Sequence, residues 1–347
     1  MLVVGIVLLI AFLHESISEC GVTCGLNRVG PTQRSSDRLP FIINGEDASQ
    51  GEVGFQVALT DAPTAPIQVF CGGTLLNERW VMTAAHCTAG VGPRNMWAVM
   101  GMTDRNRPEE GVSIRIERKE EHPAVNVWTL DFDFALLKLE REVDFSNPAL
   151  SHVFPVCWPT RQEVPGEWTI ISGWGLVENP RPGPAGTNEQ PNELKLANVT
   201  IIDRDDCGAI YDFELPDHMV CAGDDDGQGV CFGDSGGPLV ALNPPNSGDA
   251  VFELVGATSW GGLPCGSKPG VFADVFHVVD WMKSVAGDEC PRARTPPPPA
   301  CNNAACANCN QRRRCENWSW CREKCQLHCF DQFGMMEHME CFRDVQG

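Results

Sequence analysis

The sequence predicts an all-β body closed by one helix and followed by a separate, cysteine-dense tail. Short runs of β-branched and apolar residues, such as Val112 to Ile116 and Leu194 to Ile202, recur between turn signals, which is the pattern of strands in an all-β domain. Val278, Val279, Met282 and Val285 stand at helical spacing within 275–285, so that segment is expected to be a terminal helix packed on the strands. Eight of the 18 cysteines fall within 301–347, beyond the proline run Pro296 to Pro299, which favours an extended, semi-rigid spacer.

Taken in order, the 347 residues have length for one large or two ordinary domains. Leu2 to Leu13 is an apolar run too short for a comfortable membrane span, and Ser16 and Ser18 stand as small residues before a cleavage point. Residues 1–18 therefore read as a signal peptide, 19–41 as a propeptide, 42–287 as the main domain, 288–300 as a Pro-rich linker and 301–347 as a cysteine-rich domain. A secreted chain with no membrane span after signal removal explains the cysteines, which an oxidising compartment would pair as disulfides. No clean zinc spacing is present, and neither a metal nor another cofactor is expected. The formal net charge of −20 argues against nucleic acid as a partner, since phosphates would be repelled.

Gly233-Asp234-Ser235-Gly236-Gly237-Pro238 puts a serine in a tight glycine-rich turn where its hydroxyl can be exposed. A serine is a weak nucleophile unless a base takes its proton, so a histidine and a carboxylate are required elsewhere. Thr83-Ala84-Ala85-His86-Cys87 offers the histidine, and Asp131-Phe132-Asp133-Phe134-Ala135-Leu136-Leu137 offers two carboxylates at the start of a strand-like run.

With Ile42-Ile43-Asn44-Gly45, Cys71-Gly72-Gly73-Thr74-Leu75, Gly173-Trp174-Gly175, Cys221-Ala222-Gly223 and Ser259-Trp260-Gly261 in the same order, the chain resembles the chymotrypsin-like (trypsin-fold) serine proteases from about Ile42 to Ala286. The resemblance implies two six-stranded antiparallel β-barrels with the active site in the cleft between them. It implies Ser235 as nucleophile, His86 as general base and acid, and Asp133 rather than Asp131 as the carboxylate that holds the histidine tautomer. The backbone amides of Gly233 and Ser235 become the oxyanion hole. Asp234 becomes the partner of the amine freed at Ile42. By the same resemblance Cys71 pairs with Cys87, Cys207 with Cys221, Cys231 with Cys265, and Cys157 with Cys20 or Cys24, so the propeptide stays attached after cleavage. The positions of a further bridge hold Thr169 and Ala241, both cysteines being absent together, and Cys290 is left without an assigned partner. Calcium-binding relatives carry carboxylates in the loop after Gly101, where this chain has Met102 and Val112.

Substrates are expected to be proteins or peptides. Where tryptic enzymes carry an aspartate, six residues before the nucleophile, this chain has Gly229 followed by Val230. Gly261 and Gly270 occupy the two positions where larger residues would block the pocket, which implies an open apolar slot for Phe, Tyr, Leu or Trp. An elastase-like taste for small residues is the alternative if Val230 narrows it. Ser259, Trp260 and Gly261 are expected to bind substrate backbone as an added strand. Phe41, not a basic residue, precedes Ile42, and Arg38 lies three residues too early, so an enzyme with an apolar pocket would have to activate this zymogen.

Other features stand beside that reading. The Pro- and Gly-rich loop Glu178 to Asn188 is long enough to shape leaving-side specificity, and Asn198-Val199-Thr200 and Asn317-Trp318-Ser319 are glycosylation sequons. In the tail, Cys321, Cys325 and Cys329 would share one helical face, and eight cysteines permit 105 pairings. The tail is loosely similar to small sea-anemone-toxin type modules, which implies either an anchoring partner or a stability module; a toxin-like binding protein whose tail carries the function is the alternative to an enzyme.

Overall fold

A computed structural model describes residues 22–26, 46–177, 190–223, 229–244 and 250–290. The predicted signal peptide, Cys20, Phe41, Ile42, the loop 178–189, Asn317 and the tail 301–347 lie outside the described residues. The chain divides into two units, Met1–Ala293 and Arg294–Gly347, and every described residue belongs to the first.

Two closed six-stranded antiparallel barrels make up the fold. The first is built from β2 (Gln56–Thr60), β3 (Cys71–Leu75), β4 (Trp80–Thr83), β5 (Trp97–Met100), β6 (Val112–Glu121) and β7 (Ala135–Leu139), in the order β2-β3-β4-β7-β6-β5. Its core holds Val57, Leu59, Leu75, Val81, Met82, Leu136 and Leu137, each essentially without solvent exposure. Met102 and the partly buried Val112 pack on this core. The strand predicted at Val112 to Ile116 runs on to Glu121 through a register shift after Ile116, where charged residues hide it from a hydrophobicity pattern.

The second barrel contains β8 (Trp168–Gly173), β9 (Lys195–Ile202), β10 (Met219–Gly223), β11 (Pro238–Asn243), β12 (Val251–Gly261) and β13 (Gly270–Asp274). Its strand order is β9-β10-β13-β12-β11-β8, closed by β8 pairing back onto β9. A short β1 (Glu46–Asp47) lies on the other edge of β9. Asn198 is exposed on β9.

Two helices complete the body. α1 (Arg204–Tyr211) was not anticipated: only Cys207 and Gly208 are buried, so no apolar stripe announces it. Its signals are at the ends, where Asp203 caps Asp205 N–H, Asp205 and Asp206 occupy the first turn, and Asp212 closes it in a left-handed conformation at φ 62°. The C-terminal helix is present but shorter than the sequence predicts. Val275–Val278 is a 3-10 turn capped by Asp274, and α2 runs Val279–Ala286. Val278 and Met282 are buried, as their spacing requires.

Disulfides join Cys71 to Cys87, Cys207 to Cys221 and Cys231 to Cys265. Cys24 is the residue bonded to Cys157, which resolves the alternative with Cys20. Cys290 is also disulfide-bonded.

Candidate active site

β4 and β7 are antiparallel neighbours with Thr83 opposite Ala135, so the residues just beyond that rung, His86 and Asp133, emerge at the same end of the first barrel. His86 sits in a 3-10 turn, Ala85–Cys87, pinned by the Cys71 disulfide. Asp133 is fully buried. It accepts from His86 backbone N–H at 2.9 Å, from His86 Nδ1 at 2.7 Å and from Ser259 Oγ at 2.6 Å. A carboxylate only accepts, so Nδ1 carries the proton and Nε2 keeps its lone pair. That is the tautomer of a base.

Asp131 lies elsewhere, 3.2 Å from His218 Nε2. Leu130 and Phe132, which flank Asp131, both hold positive φ, 60° and 46°, an unfavourable state for non-glycine residues that surrounding contacts must maintain. The Phe132 ring is stacked between His122, at 4.8 Å, and His218, at 4.1 Å. Burial, with a smaller contribution from the charge on His218, holds His122 below the usual imidazole value.

The serine turn is clamped between the barrels. Gly72 N–H on β3 donates to Ser235 O at 2.7 Å, and Gly236 N–H donates to Thr258 O on β12 at 2.7 Å. Gly236 has φ 74°, and a Cβ there would fall 2.0 Å from Thr83 Oγ1, so only glycine permits this approach to the histidine-bearing segment. Cys87 Sγ lies 3.6 Å from Ser235 O and 3.8 Å from His86 Nε2, so serine and imidazole border the same space. Ser235 itself is half-buried.

Next to it, Leu176 N–H donates to Phe232 O at 2.9 Å. In a trans peptide the carbonyl and the following N–H point opposite ways, so Gly233 N–H is turned away from Leu176. Leu176 is held in turn by its neighbour: Gly175 N–H donates to Asp234 Oδ1 at 2.8 Å, and Cys231 N–H to Oδ2 at 2.9 Å. A Cβ on Gly173 or Gly175 would fall 2.1 or 2.3 Å from that carboxylate, so both glycines exist to admit it. Asp234 is completely buried, and desolvation pushes its pKa up to about 6 against the lowering effect of the two amides.

Gly261 and Gly270 face each other across β12 and β13. A Cβ at Gly261 would meet nothing nearer than Gly270 Cα at 3.8 Å, and one at Gly229 nothing nearer than Gly266 Cα at 3.7 Å, so both look onto free space. At Gly270 a Cβ would lie 3.1 Å from both Phe272 Cε2 and Val230 Cγ2, which makes those two side chains the apolar wall there. Trp260, next to Gly261, packs edge-on against the Tyr211 ring at 4.8 Å. Ser259, expected only to bind substrate backbone, is buried in the β12 bulge, which turns its hydroxyl onto Asp133.

Two barrels that meet over a buried carboxylate, an oriented imidazole and a glycine-cradled serine define the serine endopeptidases of the trypsin class. Residues 42–282 match the family described as Trypsin, and the chain belongs to it. It is 38% identical over 260 residues to Trypsin 5G1 of Aedes aegypti, covering 73% of this chain and 87% of that one. It is 34% identical over 282 residues, 80% of this chain, to Transmembrane protease serine 9 of Rattus norvegicus, of which it spans only 24%. Among solved structures it is similar to neuropsin, a serine protease expressed in the limbic system of mouse brain. That likeness has a TM-score of 0.59 at 30% identity and covers 70% of this chain and 98% of the other. Among the described residues no helix is long and apolar enough to cross a membrane.

Proposed function

We propose that this serine protease is a secreted endopeptidase, made as a zymogen, that cuts after large apolar residues through an acyl-enzyme on Ser235. His86 takes the serine proton and returns it to the leaving amine; Asp133 fixes its tautomer; Gly233 and Ser235 N–H receive the oxyanion. The observation that carries the reading is the convergence of three donors on buried Asp133, which fixes the proton on His86 Nδ1 and leaves the lone pair of Nε2 to act as base. Treating the activated protein with a fluorophosphonate tests it: Ser235 should be labelled. A fully processed protein that stays unlabelled would favour a binding protein whose tail carries the function.

Specificity rests on Gly229, Gly261 and Gly270. Filling the slot with a large apolar side chain contributes roughly 1.5–3 kcal/mol, and nothing at Gly229 balances a charged one. On peptides differing only before the scissile bond, Phe, Tyr and Leu should be cut far faster than Arg, Lys or Ala. Val230 beside Gly270 favours the elastase-like alternative, which an Ala-dominated profile would select; a tryptic profile would sink both.

Activation rests on Asp234. In the uncleaved chain Ile42 is bonded to Phe41 and carries no amine charge, and burial, outweighing the two amide hydrogen bonds, raises the Asp234 pKa from 3.8 to about 6. Between those values the native state binds more protons than the unfolded one, so this group's contribution to zymogen stability falls as pH rises from about 4 through about 6. The loss amounts to about 3 kcal/mol. A cationic amine at Ile42 would reverse the sign. Urea unfolding of zymogen and cleaved protein at pH 4.5 and 7.5 should show the cleaved form gaining relative to the zymogen at the higher pH; parallel curves would remove Asp234 from activation.

The apolar slot would also accept Phe41, so the mature enzyme should activate its own zymogen. Purified zymogen should acquire an Ile42 terminus at an accelerating rate, and its Ser235→Ala variant should convert only when active enzyme is added. Equal conversion of the isolated variant would overturn self-activation.

A further inference from the structure

Gln190 and Arg105 are absent from the triad, the pocket and the activation switch, yet they form a polar junction next to Gly233. The Gln190 side chain grips one residue of the approach to β3 with both ends of its amide: Val69 N–H donates to Oε1 at 3.2 Å, and Nε2 donates to Val69 O at 2.6 Å. The same Nε2 would lie 2.9 Å from a Cβ on Gly233, with Gly175 Cα on the next side at 3.1 Å. Gly233, at φ 103°, is therefore boxed in: Leu176 holds the carbonyl before it, and the Gln190 amide fills the face where a side chain would be.

Gln190 is itself anchored. The buried Arg105 guanidinium donates through Nη2 to Gln190 O at 2.9 Å, through Nε to Pro191 O at 3.0 Å and through Nη1 to Ile67 O at 3.1 Å. Its backbone repeats the bridge, with Arg105 N–H donating to Asn192 O at 3.0 Å and Ile67 N–H donating to Arg105 O at 2.8 Å. A planar fork satisfies three carbonyls at fixed mutual angles, which a lysine cannot do. The segment 190–192 is thereby locked to the strand approach at Ile67 and Val69.

We propose that Gln190, seated by Arg105, is a positioning residue that holds Gly233 with its N–H aimed at the developing oxyanion. The proposal rests on the reading of Gly233 as an oxyanion donor. An oxyanion donor acts only in the transition state, so loosening it lowers kcat and leaves ground-state binding alone. Losing such a donor outright costs about 10²- to 10³-fold in rate, so partial misalignment should cost roughly tenfold to a hundredfold.

The test uses the full-length protein cleaved before Ile42. Gln190→Ala should lower kcat on a peptide amide by roughly ten- to a hundredfold with KM changed less than about twofold, and should slow phosphonylation of Ser235 by a fluorophosphonate in parallel. The pH profile should keep its position, because His86 and Asp133 are untouched. Gln190→Glu, which still accepts from Val69 N–H but cannot donate to Val69 O, should fall between. Arg105→Lys should reproduce part of the defect. A Gln190→Ala enzyme with unchanged kcat, or one whose KM and melting temperature move while the phosphonylation rate does not, would overturn the brace. If the parent protein itself fails to label at Ser235, the oxyanion reading falls instead, so the two failures are distinguishable.

Discussion

Replacing Ser235 by Ala is expected to lower kcat/KM on the best apolar substrate by about 10⁵- to 10⁶-fold, leaving only what binding and the oxyanion donors supply. The fold should not suffer. The turn is held by backbone, through Gly72 N–H on Ser235 O and Gly236 N–H on Thr258 O, and neither bond uses the half-buried hydroxyl. Circular dichroism and thermal unfolding should match the parent protein. Retention of more than a few per cent of activity would reject Ser235 as the nucleophile.

Asp133→Asn should cost about 10⁴-fold while changing the shape of the site little. Oδ2 of Asp133 receives both His86 Nδ1–H and the Ser259 hydroxyl, and Oδ1 receives His86 backbone N–H. If the amide keeps its oxygen on the backbone N–H, its NH₂ faces Nδ1, which must then accept and so moves the ring proton to Nε2. A protonated Nε2 cannot take a proton from Ser235. Ser259→Ala removes one of the three donors without dictating the tautomer, so its loss should be far smaller. Comparable losses for the two variants would mean that Asp133 acts through packing rather than through the tautomer.

How much of this was legible in the sequence differs from residue to residue. The serine turn, His86 and the family pattern around Asp133 are local motifs; one rung, Thr83 opposite Ala135, brings His86 and Asp133 to the same end, and Gly72 and Thr258 seat the serine turn. Cys24 could not be chosen over Cys20 by spacing, because the choice depends on which sulfur reaches Cys157 across 133 residues of chain. α1 escaped because a helix that buries only Cys207 and Gly208 shows no periodic face. The hydroxyl of Ser259 escaped because a bulge sets its direction, and side-chain direction at a bulge is a property of two paired strands. The Gln190 junction combines residues 67–69, 105 and 190–192, none of them in a recognisable motif, so only the folded chain brings it into view.

For the zymogen proposed above, the β1–β9–β8 ladder has a kinetic meaning. Asp47 pairs with Lys195, and Lys195 pairs on its other edge with Gly173, whose Cβ position touches the Asp234 carboxylate. Two inter-strand steps of about 4.8 Å put Asp47 only about 10 Å from that rung. The five residue steps from Ile42 to Asp47 can extend to about 17 Å, so a new amine at Ile42 would be tethered within reach of its proposed partner. Its local concentration would be in the millimolar range from the moment the bond is cut. On the proposed activation, switching on would be a one-molecule event, independent of dilution once cleavage has occurred, and a terminus three residues longer, as cleavage after Arg38 would leave, would have to find room for Leu39, Pro40 and Phe41 at the end of the same short leash.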